Sequence, residues 1–201
     1  GKVPIHVMKN PVLLPEIPVK HSTSPVILSF SGRIGSRKGM WDLLDAIALL
    51  KEKGVVNHRL VVTGDGEIDK ARRLVSEKGL QEVVEIHGWL SEDRFQELRE
   101  TSSIFILPSY NEGLPMAMIE AMSLGQIPIT TSVGGIPDVI EDGSNGLLVE
   151  PGNPSSIATA IEQLITDEGL RERLSEAALA TSREHDVVDY VVRLSDLYSA
   201  A

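Results

Sequence analysis

Six short runs rich in Val, Ile and Leu recur along the chain: VILSF (26–30), RLVVT (59–63), VVEIH (83–87), IFILP (104–108), IPITT (127–131) and GLLVE (146–150). Helical patterns separate most of them, near 39–53, 67–79, 91–101 and 115–124, with a short helical turn near 136–141. Apolar runs without polar alternation are strands covered on both faces. Alternation with helices brings the chain back over the sheet in the same direction each time. The expectation is an α/β fold built on a doubly wound, Rossmann-like parallel sheet.

After Glu150 the pattern changes to helices alone, at 154–166, 168–183 and 186–199. The last of these sets Val187, Tyr190, Val191, Leu194, Leu197 and Tyr198 on one face. Packing on the domain's own sheet is the simpler use of that stripe, and a surface outside the domain is the other. At the opposite end, Pro4, Pro11, Pro15, Pro18 and Pro25 rule out a long helix. The expected division is a linker segment over 1–25, a ligand-binding domain over 26–185 and an amphipathic C-terminal helix over 186–201.

With 201 residues the chain can build one sizeable core. A net charge of −10 argues against nucleic acid or anionic lipid as partners. The absence of cysteine removes disulfides, thiolate nucleophiles and zinc-thiolate sites, and the five histidines are too scattered to suggest a metal. No apolar run approaches the roughly 20 residues of a membrane span, and the start lacks a signal-peptide core, so a cytoplasmic location is expected.

Chemistry concentrates around the helix at 115–124. Pro115 suits a first helical position, and Met116, Ala117, Met118, Ile119, Ala121, Met122 and Leu124 leave no polar face. Glu120 is the one charge there, and a carboxylate in a buried helix needs hydrogen-bond donors. An internal salt bridge, a position at the rim or a hydroxyl-bearing ligand would each supply them. Eight residues earlier Glu112 sits in a loop with Gly113, ahead of backbone amides that a helix start leaves free.

Other unusual groups lie where strands end, the edge at which open parallel sheets bind ligands. Gly32, Arg33 and Lys38 follow the first strand, and Gly64, Asp65 and Gly66 the second. Trp89 and Leu90 follow the third, Glu112 and Gly113 the fourth, and Gly134 and Gly135 the fifth. Gly64-Asp65-Gly66 resembles a phosphate turn, but Asp69 stands where a dinucleotide fingerprint needs its third glycine. GRIGSRKG fails as a P-loop, since Arg37 and Gly39 replace the second glycine and the magnesium-binding hydroxyl. No Asp-x-Asp occurs.

The segment from Glu112 to Glu120 resembles the Glu-x7-Glu motif of retaining GT-B glycosyltransferases of the GT4 family. The likeness extends to GGIPDVIEDGSNGLLVEPGNP (134–154) and SGRIGSRKG (31–39), and covers the chain from about Val26 to its end. It implies the C-terminal half of a GT-B architecture, binding a nucleoside diphosphate sugar of UDP, GDP or ADP type without metal or further cofactor. Glu120 would hold the ribose hydroxyls, Glu112 the transferred sugar, and Arg33 and Lys38 the diphosphate. Gly113, Leu114 and the neighbours of Pro115, which itself has no N–H, would approach phosphate and sugar. Gly32, Gly64 and Gly66 would border the phosphates, and Trp89 and Leu90 the base, with Trp89 read as a packing residue more readily than as a stacking platform. Gly134 and Gly135 would allow close approach of the ligand or simply a tight turn, and Arg37 is read as solvated. The hydroxyl acceptor, a glycan or a small molecule, would be held by an N-terminal domain. A GT-B epimerase or phosphorylase, or a non-catalytic nucleotide-binding module, would share much of this pattern.

Overall fold

A computed structural model describes residues 5, 8, 10–15 and 24–199. Much of the Pro-rich linker, Pro4 and Pro18 included, lies outside the described residues. All six strand runs form strands: β1 (Val26–Ser31), β2 (His58–Thr63), β3 (Val84–Ile86), β4 (Ile104–Leu107), β5 (Ile127–Thr131) and β6 (Leu147–Val149). They build one parallel sheet in the order β3-β2-β1-β4-β5-β6. Every residue of β4 and β5 is buried, as expected for central strands covered on both faces.

The helices are α1 (Met40–Glu52), α2 (Ile68–Glu77), α3 (Glu92–Thr101), α4 (Met116–Ser123), α5 (Pro154–Thr166), α6 (Glu168–Ser182) and α7 (Val187–Ser199), close to the expected spans. Their starts follow capping chemistry. Asn153 accepts from the Ser156 N–H at 3.0 Å with Pro154 in the first turn of α5, and Asp167 accepts from the Leu170 N–H at 2.9 Å before α6. Leu43, Leu44, Ile47 and Leu50 bury the inner face of α1, which packs against α5. Helix α4 lies against β4 and β5 and is flanked by α6, which also reaches β5, and cover from both sheet and helix is why it could dispense with a polar face.

One sequence expectation needs correction here. Pro115 precedes α4 as its capping residue, with ψ of 114°, instead of occupying the first helical position. On the α7 stripe Val187, Tyr190, Leu194 and Leu197 are half-buried and Val191 and Tyr198 exposed, with none fully buried, while Val188 and Val192 beside the stripe are exposed. At its start α7 meets the linker: Val12 pairs in parallel with Asp186, giving its N–H to the His185 carbonyl at 2.7 Å and accepting from Val187 at 3.0 Å.

The strand order positions the site. From β1 the chain steps outward to β2 and β3, then returns to the other side of β1 with β4. Loops leaving β1 and β4 therefore diverge and leave a crevice between them at the carboxyl edge of the sheet. No helix of the described residues is long and apolar enough to cross a membrane.

Candidate functional site

The crevice between β1 and β4 brings together side chains far apart in sequence. A short 3-10 turn over Ser36–Lys38 follows β1, and Gly39 (φ 69°) turns the chain into α1. Lys38 Nζ thereby reaches Glu112 Oε1 at 2.5 Å, with the side chains 16% and 7% exposed. The two supposed ligand contacts are thus already an ion pair, largely withdrawn from water. Such a pair holds its geometry well, because separating either charge leaves the other poorly solvated. Arg33 differs: it is exposed and has no ion-pair partner among the described residues. Among the described residues it is an uncommitted cation of the crevice.

Glu120 is half-buried, and its carboxylate has no hydrogen-bond or ion-pair partner among the described residues. Of the three ways to satisfy it, the internal salt bridge is absent among the described residues. It lines a narrow cleft between α3 and α4 with Ser31, Phe95, Arg99 and Ala117. The floor of that cleft is a satisfied polar network in which Ser29 donates to Gln126 Oε1 at 2.9 Å and Gln126 donates to the Arg99 carbonyl at 2.7 Å. Arg99 is a cation that sequence proximity could not reveal. It shares the cleft, stands over the Phe95 ring at 5.6 Å and makes no ion pair with Glu120.

The glycines serve mainly to bring loops together. Gly32 donates to the Thr63 carbonyl at 3.1 Å, Ile34 to that of Asp65 at 2.7 Å, and Glu67 to that of Ile34 at 2.9 Å, so the β1 and β2 loops continue the parallel pairing past the strand ends. Gly66 forms a bridge with Ile34 in the same ladder. At Gly64 (φ 143°) a Cβ would lie 1.9 Å from the Gly32 carbonyl oxygen, so only glycine permits this approach. These bonds tie the two loops to each other.

Gly134 (φ 58°) and Gly135 pack on the loop that carries Glu112: a Cβ on Gly134 would stand 2.0 Å from the Glu112 carbonyl oxygen, and the Gly135 N–H reaches Gly113 O at 2.6 Å. The close approach made here is to protein backbone. Gly113 is exposed, Leu114 half-buried against the core and Pro115 buried. Trp89 corrects the packing reading, since its indole is 70% exposed at the end of β3, beside half-buried Leu90.

Sequence reasoning passed over Tyr110 and Asp42. The Tyr110 hydroxyl donates to Asp42 Oδ2 at 2.9 Å, while its backbone N–H donates to the Arg37 carbonyl at 2.9 Å. The bond to Asp42 holds the phenol proton above its ordinary titration range, with burial and the Asp42 charge adding to the effect. Arg37, read as solvated, is exposed, though its guanidinium also approaches the Asn111 carbonyl at 3.4 Å. A tyrosine directly before the Asn-Glu-Gly stretch was the one available signal.

Comparison with known proteins bears on this arrangement. Residues 15–181 match the family described as glycosyl transferases group 1. The alpha-D-kanosaminyltransferase of Streptomyces kanamyceticus is 32% identical over 155 residues, covering 77% of this chain and 40% of that protein. The C-terminal domain of a glycosyl transferase group 1 family protein (LpcC) from Francisella tularensis superposes with a TM-score of 0.72 at 25% identity, over 86% of this chain and 89% of that one. Anabaena Alr3699/HepE, solved with UDP and glucose, shares the fold with a TM-score of 0.78 at 22% identity, over 87% of this chain and 48% of that one. The chain spans less than half the length of the curated relatives it matches.

Proposed function

Because this chain belongs to the glycosyl transferases group 1 family, we propose that its crevice binds the nucleoside diphosphate sugar donor of a retaining, GT4-type hexosyl transfer. The observation that carries the reading is the unpaired Glu120 carboxylate in the cleft at the β1–β4 switch point, with Arg33 uncommitted at the same sheet edge. A carboxylate without donors in a largely apolar helix calls for a ligand that brings hydroxyls, and a free guanidinium for one that brings phosphate. A ribose joined to a diphosphate offers both. The relative solved with UDP and glucose shares this fold, which supports the choice of ligand class.

In the proposed reaction the bond from the sugar's anomeric carbon to the β-phosphate oxygen breaks, and an acceptor hydroxyl oxygen bonds to that carbon with retained configuration, its proton passing to the departing diphosphate. Negative charge builds on the departing diphosphate. Arg33 and Lys38 are fixed cations for that charge, with Lys38 shared between phosphate and Glu112. Glu112 faces the sugar, and the exposed Trp89 and half-buried Leu90 border the base. Gly64, Gly66, Gly134 and Gly135 act through the loops they allow to close. The acceptor, a glycan or small hydroxyl compound, is held by an N-terminal domain against which the exposed face of α7 packs.

Calorimetry of this chain against UDP, GDP and ADP and their glucose conjugates tests the reading. One series should bind, and Glu120→Gln should weaken it by about 1.5–3 kcal/mol, the range for hydrogen bonds to a charged group. Absence of binding to all of them would remove the proposal, and unchanged affinity of Glu120→Gln would remove Glu120 from it.

A further inference from the structure

The loop between β4 and α4 carries Glu112 yet has no regular structure, and Gly113 within it has open space on its Cβ side. Its anchors are few. Ser109 O accepts from the Thr131 hydroxyl at 2.6 Å, Tyr110 N–H donates to Arg37 O at 2.9 Å, and Gly113 O accepts from Gly135 N–H at 2.6 Å. Between them, among the described residues, Asn111 is held by the long 3.4 Å approach of Arg37, and Glu112 by its pair with Lys38 and the close seat of its carbonyl on Gly134. A short, Gly-containing loop with so little fixing loses its geometry readily.

The Tyr110 side chain supplies what the backbone lacks. Its hydroxyl donates to Asp42, 68 residues earlier in the first turn of α1, where the helix dipole favours an anion. A Cβ on Gly152, in the turn between β6 and α5, would lie 2.8 Å from the same phenolic oxygen, so that turn closes over it. Burial does not explain the placement, since Tyr110 is 48% exposed. The directed bond does. Lys38 and Asp42 ride on the same turn into α1, so a loop tied to Asp42 is tied to the element that also sets Lys38.

Resting on the donor-site reading above, we propose that Tyr110 is a positioning residue: through its hydroxyl bond to Asp42 it holds the Glu112 loop in register with the Lys38 turn. Hydrogen exchange read by mass spectrometry on the parent chain and on Tyr110→Phe tests this, with UDP titrated into both. The variant keeps the ring and loses only the bond. Exchange at the hydrogen-bonded amides that fix the loop, Tyr110 (to Arg37 O) and Gly135 (to Gly113 O), should quicken by about 5- to 10-fold, as for one charge-assisted hydrogen bond on a half-exposed side chain, while α1 and β4 exchange as before. Asp42→Asn, which keeps an acceptor without the charge, should give a smaller rise at the same amides. UDP affinity should fall several-fold in Tyr110→Phe.

Unchanged exchange at the Tyr110 and Gly135 amides, or a rise spread equally over α1, overturns the proposal. So does a parent that binds UDP and a Tyr110→Phe variant that binds it equally well, because the tether then does not serve the site. If the parent binds no UDP, GDP or ADP, the donor reading fails, and the exchange result still decides whether Tyr110 holds the loop.

Discussion

Replacing Gly134 by alanine tests how tightly the loop after β5 braces the Glu112 loop. Two costs add. An L side chain at φ 58° sits in the left-handed region, at about 1–2 kcal/mol, of which roughly 0.4–1 is returned because alanine restricts the unfolded chain. The new Cβ would lie 2.0 Å from the Glu112 carbonyl oxygen and 2.7 Å from that of Gly113, where real Cβ contacts stay beyond 3.0 Å, so backbone must move by 1.0 Å or more. Overpacking on that scale costs about 1–3 kcal/mol. The sum is about 2–4 kcal/mol, which for a chain of this size lowers Tm by roughly 5–15 °C. Gly54 is the control, with φ 78° and nothing within 4 Å of a Cβ, so Gly54→Ala should lower Tm by only about 1–4 °C. Thermal unfolding followed by circular dichroism reads both. Equal losses at the two positions would show that the contact with Glu112 is not felt, and would refute the bracing argument.

Lys38→Ala and Arg33→Ala should differ in stability although both remove a cation facing the crevice. The first strands a Glu112 side chain only 7% exposed and should cost about 3 kcal/mol, whereas exposed Arg33 should cost no more than about 0.5; equal midpoints in urea would contradict this. Both should weaken UDP more than uridine, and calorimetry that found the two ligands equally affected would assign these side chains to the fold alone. His58, 3% exposed and with neither ring nitrogen hydrogen-bonded, is held below the ordinary imidazole pKa by burial. As pH falls through 6.5 the unfolded chain takes up a proton that the folded chain refuses, so stability present above that pH is lost below it. His58→Phe should flatten the drop in Tm between pH 7.5 and 5.5, and parallel drops in parent and variant would exclude His58 as its source. Finally, residues 1 to 201 alone should transfer no sugar, and addition of an N-terminal half should restore turnover; robust transfer by this chain in a product assay would place an acceptor site within it.

The sheet and its helices were legible because their signals are local. Short apolar runs, helical periodicity and caps such as Asn153 and Asp167 act over a few residues, and the structure follows them to within one or two positions. The carboxyl edge was legible for a related reason. Once strands alternate with helices, every loop after a strand emerges on the same side, and the unusual residues at those loops are bound to meet there.

Pairing and exposure could not be read in the same way. Lys38 and Glu112 are 74 residues apart, and Tyr110 and Asp42 are 68 apart, so only the return of β4 beside β1 decides that they touch. Glycines that seemed placed for a ligand are turned toward Gly32 and Glu112, because loops packed in three dimensions compete for the same space as a ligand. Trp89 looks like a packing residue in sequence and is exposed, and the α7 stripe is covered only in part, since apolarity states what a side chain gains by burial and not whether a neighbour is there to bury it. Which carboxylate is already paired, at Glu112, and which is open, at Glu120, was decided by the tertiary structure alone. An ion pair depends on the separation of two groups in space, and that distance is not a property of either residue's place in the chain.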